Sequence, residues 1–388
     1  MPKTFQRALL RRVLFRLHWI AGITAGLVLG VVGFTGGIVG CEEAVLRWLN
    51  PPLHAAAENR SVLPPDRWVT LARAAYPESS VRNVAWAGAG EAVRLRIVRD
   101  GGRGIEIALD PHDGKVLGVP RGTEFFASVE QLHRTLAAGP VGKQIVGAST
   151  LAMIVMIVTG IYLRWPRRTL SVSAWFKPNL RAHGRGFLWQ LHAVAGTWLL
   201  AFYLCAALTG LWWSYDFYRS AVNAIAGVPT PTKRPPPATL DKNAPGLSVD
   251  RAWSAFLAAV PDATLASFSP SAKADAPLEI RYQTSSSEHD RAWNTIKVDL
   301  QSGEVVANES YSDQPRGRRF VAALFPLHSG SFFGVGGRTL MAIAALLMPF
   351  FSITGLWLWL LRRRNDALRN RMAAVAPRIP QQPDTCAG

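Results

Sequence analysis

Apolar residues along the chain gather into four long runs separated by stretches that alternate or turn. The runs cover about Val13–Gly40, Gly142–Leu163, Phe187–Trp213 and Val335–Leu361. Each holds about 20 or more mostly apolar residues, enough to cross roughly 30 Å of hydrocarbon at about 1.5 Å of rise per residue. A spanning helix bonds its own backbone and needs no further partner. No charge sits in the middle of a run, and none is expected to be a broken helix. The pattern changes between runs one and two and again between runs three and four. Helical stretches near Asp66–Ala75 and Ser248–Ala259 precede Ile105–Val116 and Thr295–Val305, each of which reads as a strand, a glycine turn and a strand. Each long connection therefore predicts a small α+β module. The Pro-rich stretch Pro229–Pro237 reads as a linker.

Composition enters once charge is placed on this pattern. The 388 residues are 49% hydrophobic, include 14 Trp and carry a net charge of +17. Such a charge invites a nucleic-acid reading, but its distribution argues against one. Residues 1–40 hold Lys3, Arg7, Arg11, Arg12 and Arg16 and no acid. The connector 164–186 holds Arg164, Arg167, Arg168, Lys177, Arg181 and Arg185, again with no acid, and the tail opens on Arg362, Arg363 and Arg364. Residues 41–132, by contrast, carry 11 basic and 12 acidic groups. Short basic segments and long balanced ones follow the positive-inside rule. Both termini and the connector are expected in the cytoplasm, and the two long connections in the periplasm of a bacterial inner membrane.

Cys41, Cys205 and Cys386 form no CxxC or CxxCH, so thiolate zinc, iron–sulfur and covalently attached haem lack their signatures. No GxGxxG or GxxxxGK[ST] pattern marks a nucleotide site. Ile38-Val39-Gly40-Cys41 resembles a lipoprotein cleavage box. The first span has a counterpart in mid-chain that cannot be a signal peptide, which argues against cleavage there.

That counterpart is part of a longer internal repeat. Leu17-His18-Trp19-Ile20-Ala21-Gly22 and Thr35-Gly36 recur 174 positions later as Leu191-His192-Ala193-Val194-Ala195-Gly196 and Thr209-Gly210. Leu132-His133 and Thr159-Gly160 recur 195 positions later as Leu327-His328 and Thr354-Gly355. Asp110-Pro-His-Asp-Gly114-Lys-Val116 in the first long connection answers Asp299-Leu-Gln-Ser-Gly303-Glu-Val305 in the second. The expected fold is a mainly α membrane protein, four transmembrane helices in a duplicated two-span arrangement with two small periplasmic α+β modules. Its expected segments are 1–40, cytoplasmic N-terminus and first span; 41–123, first module; and 124–165, interfacial helix and second span. Next come 166–186, cytoplasmic connector; 187–213, third span; 214–315, second module with the linker; 316–361, interfacial helix and fourth span; and 362–388, cytoplasmic tail.

These LHxxxG…TG and LH…TG units and the two DxxxG[KE]V hairpins resemble the PepSY-associated transmembrane family, which includes ferric-siderophore reductases of bacterial inner membranes. The resemblance covers nearly the whole chain. It implies that the two modules are PepSY-like.

Of eight histidines, only His18, His133, His192 and His328 occupy repeated, membrane-adjacent positions. Topology puts His18 and His192 near one face and His133 and His328 near the other. A single histidine on an apolar helix is most often a satisfied interface residue, but ionisable groups at membrane depth are costly and usually functional. Four of them, one per repeat at each face, suit two haem b groups with paired axial imidazoles. Zinc would need further ligands that no nearby acidic or cysteine pattern supplies. Gly22 and Gly196 follow their histidines by four residues on the same helix face, leaving room for a flat macrocycle. Arg16 and Arg185 near the inner pair, and Arg134 and Arg338 near the outer pair, are candidate partners for haem propionates, though each of the first two taken singly is better explained as a positive-inside anchor. His54, His112, His183 and His289 are expected on the solvated surface, and the span-end Trp residues (Trp19, Trp165, Trp212, Trp213, Trp357 and Trp359) in an aromatic belt.

Two haems across a bilayer make an electron path. The electrons are expected from a donor protein or the quinol pool. Resemblance implies a ferric siderophore as periplasmic acceptor, reduced from Fe³⁺ to Fe²⁺. Two rivals remain: a non-redox PepSY membrane regulator or sensor, and a siderophore or iron permease.

Overall fold

The computed structural model describes residues 3–54, 61–88, 90–99, 104–166, 168–229, 248–270 and 276–375. Most of the Pro-rich linker, Arg167 and Cys386 lie outside the described residues. Helix α1 (Lys3–Gly40) is followed by α2 (Glu42–Leu49), α3 (Pro65–Ala75) and strands β1 (Ser79–Trp86), β2 (Val93–Arg99), β3 (Ile105–Leu109) and β4 (Val116–Gly118). Then come α4 (Thr123–Thr135), α5 (Gly139–Arg164), α6 (Val172–Phe176), α7 (Gly184–Ser214) and α8 (Asp216–Ile225). The order of a helix and four strands recurs as α9 (Asp250–Ala259), β5 (Ala263–Phe268), β6 (Leu278–Thr284), β7 (Asn294–Val298) and β8 (Val305–Glu309). The chain closes with α10 (Arg316–Ser329), α11 (Gly334–Leu346) and α12 (Met348–Val375).

Four helical stretches are long and apolar enough to cross a membrane: Phe5–Gly40, Gly139–Arg164, Gly184–Ser214 and Ser331–Met372. They contain the four apolar runs of the sequence. Leu27, Val158 and Ile353 point outward from them, as side chains facing lipid should. Span four departs from expectation. It is interrupted at Leu347, between α11 and α12. Pro349 explains the break: it has no N–H for the Ala345 carbonyl, and its ring crowds that same turn.

The chain divides into two compact units, Met1–Val31 with Ala148–Leu204 and Leu347–Gly388, and Val32–Gly147 with Cys205–Leu346. Among the described residues, every regular element of the first is a helix. The second adds one antiparallel sheet of eight strands in the order β4-β3-β2-β1-β5-β6-β7-β8.

The two four-stranded halves are not independent. Strands β1 and β5 pair directly, Val84 with Phe268, Ala85 with Ser267 and Trp86 with Ala266. Each half would otherwise expose its first strand as an open edge, and pairing removes both. The side chains agree: the Ser267 hydroxyl donates to Asn83 Oδ1 at 2.8 Å. The helices over the halves are also tied. The Asp66 amide donates to Asp250 Oδ1 at 2.9 Å, and the Val249 amide donates to Asp66 Oδ1 at 3.1 Å, so each carboxylate serves the start of the other helix. Alternation on β6 buries Leu278, Ile280 and Tyr282 and exposes Glu279 and Arg281. One core results, in which Trp68 of α3 meets Trp253 of α9 with rings 6.1 Å apart, beside Phe256, Leu95, Ile107 and Ile296.

The DxxxG hairpins have a shared chemistry. Asp110 Oδ1 accepts the amides of His112 and Asp113, and Asp299 Oδ1 accepts those of Gln301 and Ser302. Those bonds hold the Asp299 carboxyl below the usual carboxylate range, Ser302 contributing most. Gly114 and Gly303 then take positive φ, 70° and 76°, which a side chain would resist.

Removing one reciprocal cap by Asp250→Ala should cost the sheet unit about 1 kcal/mol. Asp66→Ala added to it should cost less than the sum of the two, because the caps share one junction. Denaturant unfolding of the full chain, with Asp250→Ala and the double variant compared with wild type by amide hydrogen exchange of the sheet strands, reads both effects.

Candidate functional site

In the first unit, His18 on α1 and His192 on α7 face each other with ring centroids 6.5 Å apart and planes at 79°. Neither ring is free to turn. His18 Nδ1 lies 2.9 Å from Thr159 Oγ1, and His192 Nδ1 lies 2.8 Å from Thr354 Oγ1. Each threonine hydroxyl spends its proton on its own helix, Thr159 on Val155 O at 2.7 Å and Thr354 on Phe350 O at 2.7 Å. The hydroxyl oxygen must therefore accept, and each histidine must donate from Nδ1. The Nε2 lone pair is left for another partner.

The second unit repeats the arrangement with His133 on α4 and His328 on α10, centroids 6.3 Å apart and planes at 60°. His328 Nδ1 donates to Thr209 Oγ1 at 2.9 Å, whose proton goes to Cys205 O at 2.6 Å. His133 differs: its Nδ1–H donates to the backbone carbonyl of Val32 at 2.8 Å. Burial pushes both rings below the ordinary histidine range. It acts first at His328, which is pushed down to about 4 with the neighbouring His133 adding to the effect.

The pairing follows one rule. Each histidine is held from another span: His18 by Thr159 of span two, His192 by Thr354 of span four, His328 by Thr209 of span three, and His133 by the Val32 carbonyl of span one. The glycines let the rings approach. A Cβ on Gly160 would lie 3.3 Å from His18 Cε1, on Gly210 3.4 Å from His328 Cε1, and on Gly355 3.6 Å from His192 Cε1. On Gly36 it would stand 2.8 Å from His133 Cε1, too close to be tolerated without movement. The Thr-Gly pairs mark the repeat in the sequence, but their role as supports for the rings emerges only from the packing. Phe351 against His192 at 5.4 Å and Trp213 against His328 at 5.6 Å complete the surroundings. For Trp213 this is a contact beyond the aromatic belt expected of it.

What the pairs can do follows from the spacing. A metal–imidazole bond of about 2.0 Å on each side, plus the two ring radii, places the centroids roughly 6.3 Å apart. Both pairs have that separation, and each Nδ1 is hydrogen-bonded, as the far nitrogen of a metal-bound imidazole commonly is. Among the described residues no three His, Cys, Asp or Glu side chains gather as metal ligands. Each pair thus brings two imidazoles together with no third such side chain beside them among the described residues.

The other candidates fall in several places. Gly22 faces Met156 and Gly196 faces Phe351, at ordinary contact distances for an added Cβ. Arg134 pairs with Glu130 at 2.9 Å, and Arg338 is held by Glu43 and by Asp290 at 3.7 Å. Arg16 and Arg185 are exposed. Two histidines expected on the surface are in fact buried. His112 lies 3.3 Å by Nδ1 from Ser61 O; His289 donates from Nε2 to the Tyr311 hydroxyl at 3.0 Å and accepts the Arg291 amide. Polar loops had suggested solvent, but these loops fold back on the sheet, where satisfied histidines are structural. His183 is exposed as expected, and the side chain of His54 lies outside the described residues.

A family model described as the PepSY-associated TM region matches residues 15–362. No curated protein matches the chain.

Nitrogen NMR of the protein should show all four rings protonated at Nδ1. Thr354→Val should abolish that preference at His192 and leave the second pair unchanged. A histidine with a folded-state pKa of about 4 binds fewer protons than its unfolded counterpart near 6.5. Stability of the full chain should therefore gain from this group as pH rises between those values and lose that gain as pH drops through them, a slope that His328→Gln reduces in pH-dependent unfolding.

Proposed function

The chain belongs to the PepSY-associated TM family, and on that premise we propose that it is a di-haem electron-transfer protein that reduces ferric siderophore on the periplasmic side of the bacterial inner membrane. The observation that carries the proposal is the pair of facing imidazole sets at 6.5 and 6.3 Å, each with Nδ1 committed and Nε2 free. Haem b would bring four nitrogens of its own and one-electron Fe³⁺/Fe²⁺ exchange, so two protein ligands would suffice where zinc would require more. His18 and His192 would hold one haem, and His133 and His328 the other.

The chain's own residues do the positioning. Thr159, Thr354, Thr209 and the Val32 carbonyl keep Nδ1 protonated and the rings aimed, and Gly36, Gly160, Gly210 and Gly355 let them close in. Half-buried aromatic neighbours pack against the pairs, Phe351 on His192 and Trp213 on His328. Arg16, Arg185, Arg134 and Arg338 remain the cations for the propionates, the last two after exchanging their present carboxylate partners.

We read the chain as a duplicated two-span unit, which explains why each site takes one histidine from each half. The helix-plus-four-strand halves of the sheet are read as PepSY-like modules. Charge placement supports cytoplasmic termini, with electrons arriving from a donor protein or the quinol pool. One electron per ferric ion weakens its hold on hard oxygen donors and frees the iron.

One observation favours a second reading. The interruption of span four at Leu347 is the kind of discontinuity transporters place at substrate sites. Iron uptake by liposomes containing the protein and no reductant would favour that permease reading.

Purified protein reduced with dithionite should give a b-type haem spectrum, with about two haems per chain by pyridine haemochrome. His18→Ala or His192→Ala should remove one haem, and His133→Ala or His328→Ala the other. Ferric siderophore should reoxidise the reduced protein. A colourless preparation, or haems that no ferric siderophore oxidises, overturns the proposal.

A further inference from the structure

The connector between α5 and α7 carries a surface that neither the histidine sites nor the spans account for. Its backbone is pinned inward. Arg164, the last residue of α5, donates from Nη2 to the carbonyls of Ala174 and Trp175 at 2.9 and 3.1 Å, satisfying the end of α6. Trp175 Nε1 donates to Thr169 O at 2.8 Å, and Trp198 Nε1, from α7, donates to Phe176 O at 3.1 Å. The Trp165 and Trp175 rings meet edge to face at 5.6 Å. A connector held this firmly would be expected to turn its apolar side chains toward these anchors.

It does the opposite. Leu170 is 97% exposed, Leu180 72%, Val172 71% and Trp165 59%. Arg168, Lys177 and Arg181 are exposed among them, and residues 164–186 contain no acid. Exposed leucine, valine and tryptophan interleaved with uncompensated cations suit the boundary between hydrocarbon and phosphate, where apolar tips enter the acyl region and cations stay with the headgroups. Connectivity supplies the occupant: both ends of the connector are fixed to membrane-spanning helices, so a bilayer surface lies within its reach.

We propose that the connector segment 168–183 lies in the membrane interface and binds anionic phospholipid, with Leu170, Val172 and Leu180 inserted and Arg168, Lys177 and Arg181 on the phosphates. An acidic soluble protein would find the same cations, but Leu170 and Leu180 would then remain in water when the chain is alone.

The test uses the full chain in phosphatidylcholine bilayers containing traces of spin-labelled phosphatidylglycerol or spin-labelled phosphatidylcholine. The wild type should bind the labelled phosphatidylglycerol in preference. Arg168→Gln, Lys177→Gln and Arg181→Gln together should cut that preference, by up to about fivefold for each charge removed. Equal association of the two lipids, or a preference the triple variant retains, overturns the proposal. A nitroxide at Leu170→Cys, in a chain whose native cysteines are replaced, gives an independent readout. It should collide freely with oxygen and poorly with a water-soluble nickel chelate. Free access of the chelate places the connector in water, overturns the lipid assignment and leaves an acidic protein partner as the reading.

Discussion

A neutral imidazole inside a membrane protein needs something to hold its one proton, and the structure answers that need four times. Each histidine donates from Nδ1 to a group on another span. Three of the acceptors are threonine hydroxyls already committed to the backbone carbonyl one turn earlier. That commitment fixes the direction of the next bond, since a hydroxyl that has given its proton can only accept. The tautomer of the ring, the direction of its remaining lone pair and the separation of the facing rings all follow from it. An unmade bond at such a site would carry the full desolvation penalty of the buried group, which is why ring orientation and helix packing are a single constraint.

The sheet obeys a comparable rule on a larger scale. Two four-stranded meanders, each with a helix across it, meet at β1 and β5 and share one core. Edge strands left open invite association, and pairing them within the chain removes the invitation. The Asp66 and Asp250 exchange ties the helices by the same logic, each supplying an acceptor where the other has unpaired amides.

Much of this was legible in the sequence. The four spans, the helices near Asp66–Ala75 and Ser248–Ala259, and both DxxxG hairpins lie where the hydrophobic pattern puts them. The equal offsets single out His18, His133, His192 and His328, and the structure brings them together as two pairs. Other features were hidden for identifiable reasons. Periodicity fixes the faces of a strand but not its neighbour across 180 residues of chain, so β1 against β5 could not be read. Hydropathy does not count backbone donors, so Pro349 passed as one more apolar residue. His112 and His289 sit in polar loops whose return to the sheet no local pattern records. The Thr-Gly pairs were visible as repeats, yet which histidine each supports depends on which helices touch.

Of the four acceptors, the carbonyl that serves His133 belongs to the main chain. Codon changes at position 32 can swap valine for another side chain without touching that oxygen, whereas Thr159, Thr209 and Thr354 each lose their acceptor in a single step to alanine or isoleucine. Heritable variation thus reaches the four rings unequally: three supports can be lost by one side-chain replacement, and the fourth persists for as long as the helix itself does.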